Sequence, residues 1–250
     1  MSTVLPDLSE ALAAAVVSAA DGLVRVEGRD RLPATGIIWG AEGLIVTSHH
    51  VLEWDENIKV GFQDGESMSA ELIGRDPSTD LALLRTSKQG LKTPDWADPE
   101  SLRVGHFALA LGRPGAIVRA TMGIISALGK AWRTPAGGPV DRYLQTDTVM
   151  YPGFSGGPLV DAQGRFVGLN TSALLRGVSI TVPAPTLERV VRDLKKHGSV
   201  RWAYLGVGAQ PTRLPDAVAK TWVRRLDSCW SRLSRAVRLR REDCSWATPW

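Results

Sequence analysis

Between residues 22 and 86 the chain falls into short apolar segments separated only by turn residues, and this spacing excludes most architectures. GLVRVEG at 22–28 is followed by TGIIWGAEGLIVTSHHVL at 35–52, a hairpin turning at 41–43. NIKVGF at 57–62, the turn QDGES, SAELIGRD at 69–76 and DLALLRT at 80–86 complete the set. Six strands with no helix-length segment between them cannot make the crossovers of a parallel sheet, so a closed antiparallel barrel is expected. A polar, turn-rich linker, KQGLKTPDWADPE at 88–100, precedes a second series: HFALALG, IVRATMGIISALG, RYLQTD, GGPLV, RFVGLNTSALL and GVSITVP. The fold class is therefore all-β, with two six-stranded antiparallel barrels over 22–100 and 101–200. A helical segment at 1–21 precedes them. PTLERVVRDLKKHG at 185–198, apolar at helical spacing and ending in Lys, Lys, His and Gly, is read as a helix closing the second barrel.

Within the second series lies GFSGG at 153–157. Glycines on both sides of Ser155 let backbone approach a substrate closely and leave N–H groups free to face a developing negative charge. Two chemistries use such a string. A nucleophile elbow needs a helix immediately after the serine, then an acid and a histidine in chain order. Here PLV, DAQGR and FVGLNTS follow, which reads as strand, turn, strand, and the one later histidine, His197, sits in the charged run RDLKKHGS. The opposite order is present upstream: His50 ends the run GLIVTSHHVL, and Asp80 opens DLALLRT. A base and its orienting carboxylate at two strand ends, with the serine on a distant glycine-rich turn, can generate a nucleophilic hydroxyl. Taken singly, each residue has a plainer reading: a histidine at a strand end is ordinarily structural, an aspartate after Ser and Thr a turn residue, a serine between glycines a turn. His49, His106 and His197 are read in that plain way.

TSHHVL, STDLALL and GFSGGPLV, in that order, resemble the HtrA/Deg family of trypsin-like serine proteases. The resemblance covers roughly residues 10–220 and implies two barrels of the chymotrypsin type with an active site in the groove between them. It implies a triad of His50, Asp80 and Ser155, an oxyanion hole from the N–H groups of Gly153 and Ser155, and an acyl-enzyme route without metal or other cofactor. Met150 and Ala173 would line the pocket for the residue before the cut bond, and Thr171, Ser172 and Ala173 would pair with an extended substrate backbone. Unfolded or misfolded polypeptides are the substrates expected from the resemblance, a homotrimer the expected assembly, and ATP-independent protein quality control the expected role. The alternative is a non-catalytic, chaperone-like polypeptide binder. Phe154 departs from the family, which keeps asparagine before the serine, and from digestive enzymes, which keep an aspartate there.

Composition adds limits. A hydrophobic content of 44% and a charged content of 22% are ordinary for a globular chain, and no apolar run reaches the roughly 18 residues of a membrane span, so no integral membrane segment is expected. Residues 1–22 lack a basic start and carry Asp7 and Glu10, which argues against a signal peptide and for the cytoplasm, with a periplasmic or secreted location if the true start lies upstream. The net charge of +4 resides in 221–250, where seven arginines oppose three acids (7 − 3 = +4), leaving the rest neutral; no nucleic-acid partner is expected. That stretch also holds Cys229 and Cys244, so the body needs no disulfide. YLGVGAQPTRLPDAVAK at 204–220 looks like the approach to a PDZ domain, after which the likeness stops at Thr221; a shift of reading frame there would account for the aberrant Trp/Arg-rich tail.

Overall fold

The computed structural model describes residues 4–200; the PDZ-like segment at 201–220 and the tail at 221–250 lie outside the described residues. Helix α1 (Val4–Ala20) leads into a first barrel of β1 (Leu23–Glu27), β2 (Ala34–Gly40), β3 (Leu44–Ser48), β4 (Ile58–Gly61), β5 (Ser67–Asp76) and β6 (Leu81–Thr86). Its strand order is β1-β2-β3-β6-β5-β4, and the antiparallel pairing of Val26 with Val60 closes it. Gly43 takes a positive φ of 86° at the tip of the β2–β3 hairpin, where its N–H donates to the carbonyl of Gly40.

The second barrel has β7 (Phe107–Gly112), β8 (Arg119–Leu128), β11 (Leu144–Thr146), β12 (Pro158–Val160), β13 (Phe166–Thr171) and β14 (Ser179–Pro183), ordered β11-β14-β13-β12-β7-β8 and closed by β8 against β11. Between β8 and β11 the chain adds a small hairpin, β9 (Trp132–Arg133) with β10 (Pro139–Val140), in a stretch to which the sequence pattern assigns nothing. Two-residue strands are too short to show an alternation, so that omission has a physical cause.

Burial explains why several strands look continuously apolar. On β3 and β6 both faces are covered: Ile45, Ala82 and Leu84 fill the first barrel, while Leu44, Val46, Leu81 and Leu83 point outward into a cluster shared with Leu109, Leu111, Val160, Leu169 and Val182 of the second. A strand between two cores cannot alternate polar with apolar. Helix α2 (Ala184–His197) joins the same cluster through Leu187, Val190, Val191 and Leu194. It packs on β5 and β6 as well as β13 and β14, so it seals the seam between the barrels rather than closing only the second. Gly198 ends it in the left-handed conformation, its N–H donating to the carbonyl of Leu194.

Candidate active site

β3 ends at Ser48 and runs straight into a single tight turn, His49–Val51, which carries His50 at the edge of the seam. Asp80 precedes β6 at the far end of the neighbouring hairpin, and its φ of 58° is unusual for a residue with a side chain. The turn that delivers it is tied by Asp76, whose carboxylate accepts hydrogen bonds from the N–H and hydroxyl of Ser78 and from the hydroxyl of Thr79. Asp76 thus has the capping role that an aspartate in such a turn ordinarily takes, which leaves Asp80 free for other partners.

Those partners surround it. Asp80 Oδ1 accepts the backbone N–H of His50 at 2.9 Å, and Oδ2 lies 2.7 Å from His50 Nδ1 and accepts the Thr171 hydroxyl at 2.5 Å. Asp80 is 3% exposed, so the carboxylate is held by donors rather than by water. A carboxylate at Nδ1 favours the tautomer with the proton there, leaving Nε2 with a lone pair facing the cleft. The His49 side chain takes no part in this pair, although its backbone N–H donates to the Asp80 carbonyl at 3.0 Å: its Nδ1 faces Arg75 Nη1 at 3.4 Å, and burial, reinforced by the Arg75 charge, holds its pKa below the ordinary histidine value. His106 bonds locally to Arg103, and His197 is exposed in the last turn of α2.

Ser155 stands across the seam from His50, and both line a cleft of about 350 Å³ together with Arg29, Arg31, Met150, Tyr151, Gly153 and Ser172. Its hydroxyl pairs with Ser172 Oγ at 3.2 Å rather than with the imidazole. Gly153 has φ of 92°, and its carbonyl accepts the Thr35 hydroxyl at 2.6 Å. The Phe154 N–H donates to the carbonyl of Tyr151 at 3.0 Å and the Ser155 carbonyl accepts the Thr35 N–H at 3.3 Å. Among the described residues the N–H groups of Gly153 and Ser155 have no internal acceptor. Gly156 has to be glycine: a Cβ there would lie 2.1 Å from the carbonyl oxygen of Thr35.

The substrate-side residues divide. Met150 and Ser172 line the cleft. Thr171 is fully buried and directs its hydroxyl at Asp80, while the N–H of Ala173 donates to Thr171 Oγ at 3.1 Å. β13 stops at Thr171, so Ser172 and Ala173 follow the strand rather than belong to it. Sequence reasoning missed Thr35, and missed Thr171 as a partner of Asp80, because both contacts join segments remote along the chain. Phe154, the departure from the family pattern, turns its ring into the second barrel's core, where it is wholly buried.

A model of the trypsin-like peptidase domain matches residues 34–169, which contain His50, Asp80 and Ser155. A probable periplasmic serine endoprotease, DegP-like, of Chlamydia trachomatis serovar D is 34% identical over 193 residues, covering 75% of this chain and 38% of the relative. A probable periplasmic serine protease, do/HhoA-like, of Haemophilus influenzae is 34% identical over 178 residues, covering 68% of this chain and 38% of that protein. The chain thus spans less than half the length of these relatives. Among solved structures, the HtrA-type protease AlgW with tripeptide matches with a TM-score of 0.66 and 32% identity, covering 76% of this chain and 65% of its own. Deg5 matches with a TM-score of 0.67 and 28% identity, covering 77% of this chain and 97% of its own. The relatives' periplasmic names overturn the cytoplasmic expectation. That expectation rested on residues 1–22, of which Val4–Ala20 form α1 with Ala15 and Ala19 packed in the core, so their composition reflects a packed helix rather than a compartment. By fold, by matched domain and by relatives, the chain belongs to the trypsin-like peptidase family, within its HtrA/Deg branch.

Proposed function

We propose that this chain is a serine endopeptidase that cleaves unfolded or damaged polypeptides through His50, Asp80 and Ser155. The observation that carries this reading is the 2.7 Å contact of His50 Nδ1 with Asp80 Oδ2, made where the imidazole and Ser155 line one cleft. Ser155 turns from Ser172 towards the imidazole, a change of side-chain rotamer, and gives its proton to Nε2 as Oγ attacks the peptide carbonyl. The oxyanion that forms is met by the N–H groups of Gly153 and Ser155. His50 then hands the proton to the departing amine, leaving an acyl group on Ser155 that water removes by the same steps reversed. Asp80 stabilises the imidazolium throughout, and it is itself held in place by the Thr171 hydroxyl and the backbone N–H of His50. Met150, in the cleft wall, favours a small or medium aliphatic side chain before the cut bond. The chemistry consumes water and needs no nucleotide. The relatives' names and the HtrA-type neighbours support periplasmic proteolysis. Assembly as a trimer fits the family, and Phe107 and Ile124, paired across β7 and β8 and both partly exposed, offer an apolar surface for a second copy. Sedimentation of Phe107→Glu as a monomer, against a larger wild type, supports that surface; identical masses count against it.

A non-catalytic polypeptide binder is the second reading, favoured by one fact: the Ser155 hydroxyl bonds Ser172 instead of His50. Labelling with a fluorophosphonate separates the two. Labelling of the folded protein that is lost in Ser155→Ala, together with casein cleavage lost in the same variant, supports the peptidase. A folded wild type that neither labels nor cleaves casein overturns it.

A further inference from the structure

Among the described residues, the hydrogen bonds that reach the loop at 153–155 from the opposite barrel come from one residue, Thr35. Thr35, fully buried near the start of β2, donates its hydroxyl proton to the carbonyl of Gly153 at 2.6 Å and accepts the backbone N–H of Arg113 at 2.7 Å through the same oxygen. Its N–H meets the carbonyl of Ser155 at 3.3 Å, and its own carbonyl accepts the Thr47 hydroxyl at 2.7 Å. Every polar group of this residue is therefore engaged, and two of the four bonds end on the loop at 153–155.

We propose that Thr35 is a positioning residue for the oxyanion site, its hydroxyl fixing the Gly153 carbonyl so that the N–H groups of Gly153 and Ser155 stay turned towards the cleft. The inference rests on the peptidase reading above and assigns within it a role to a residue outside the triad. The physical need is specific. Gly153, at φ 92°, has the softest torsions in the loop, and nothing in its own covalent structure prefers this orientation over others. The peptide between Gly153 and Phe154 is pinned at both ends: its oxygen by Thr35 Oγ, its N–H by the carbonyl of Tyr151. Removing the hydroxyl leaves a buried carbonyl without its donor, which rotation about Gly153 relieves by turning that oxygen elsewhere; the Phe154 N–H on the same peptide then leaves the Tyr151 carbonyl, and the two flanking peptides, which carry the N–H groups of Gly153 and Ser155, lose their fixed orientation.

The anchor is itself immobilised. Arg113, whose N–H the hydroxyl accepts, is 5% exposed, and its guanidinium donates to the carbonyls of Leu23 and Ala116, both at 3.2 Å. Thr35 thus couples the loop to β1 and to the segment after β7, neither of which lines the cleft. Serine supplies the same hydroxyl, whereas valine keeps the branched shape and the backbone N–H and removes only the hydroxyl.

The test compares wild type, Thr35→Val and Thr35→Ser, with active sites counted by fluorophosphonate burst so that misfolded protein drops out. Loss of one oxyanion donor typically costs about 10²–10³ in kcat, and a loosened donor is expected to cost less, about 10- to 100-fold in Thr35→Val with KM within about threefold. Affinity for a peptidyl boronate, whose tetrahedral adduct places an oxygen in the same site, falls in parallel, and Thr35→Ser restores both. Wild-type kcat per active site and wild-type boronate affinity in Thr35→Val overturn the proposal. If that variant does not fold, a crystal structure of the wild-type boronate adduct decides: Gly153 carbonyl on Thr35 Oγ with the boronate oxygen on both N–H groups supports it, and a carbonyl released from Thr35 overturns it. A wild type inert to the probe counts against the peptidase reading instead, so the two failures are distinguishable.

Discussion

Asp80 takes a left-handed backbone conformation that an aspartate tolerates better than most residues but still adopts at a cost, and three donors converge on its carboxylate. Replacing it by asparagine puts an amide where Nδ1–H needs an acceptor and favours the wrong tautomer, so kcat is expected to fall by about 10³–10⁴-fold, read by steady-state cleavage of a peptide substrate. Thr171→Val removes one donor from a buried charge. A hydrogen bond to a charged group is worth about 1.5–3 kcal/mol, so a loss of about 10- to 100-fold in kcat is expected in the same assay, with KM little changed. His49 answers a different question. Burial and Arg75 depress its pKa in the fold, so the unfolded chain binds more protons once pH drops below the free value of about 6.5. Stability from this group is present above that value and is lost as pH falls through it towards the folded pKa. The drop in melting temperature between neutral pH and mildly acidic pH should be smaller in His49→Gln than in the wild type; an equal drop would show that His49 is not the group responsible.

At the scale of elements, α2 shows how the two barrels become one body. Leu187, Val190 and Leu194 repeat at helical spacing and are fully buried, and the face they form meets Leu81 and Leu83 of one barrel and Leu169 and Val182 of the other. Leu187→Ala is expected to cost about 2–5 kcal/mol of stability, measured by denaturant titration, because the surrounding strands are too constrained to close the space it leaves. The helix was legible from its spacing and its basic, glycine-terminated end. Its place on both barrels was not, since an amphipathic pattern states that one face is buried and not against what. The same holds for β13: its run FVGLNT reads as a strand, but the end at Thr171, which removes Ser172 and Ala173 from the sheet, follows from where Thr171 finds Asp80.

Across the described body, the shared cluster at the seam contains residues from both barrels and from both helices. Neither barrel buries its outer leucines without the other, so unfolding is expected to be one cooperative event. Amide hydrogen exchange checks this: β3 and β13 should share the same free energy of opening, and a barrel that exchanges well ahead of the other would refute it. The sequence by itself determined a great deal: the order of the strands that make the two antiparallel barrels, the C-terminal helix, and the succession of His50, Asp80 and Ser155 along the chain. These are local properties, written in periodicity, turn residues and short motifs. Only the tertiary structure decided that the Ser155 hydroxyl rests on Ser172, that Thr171 serves Asp80, and that Thr35 holds the loop at Gly153. Each of those contacts joins segments far apart along the chain, and a hydroxyl has no sequence signature for the partner it meets across a seam.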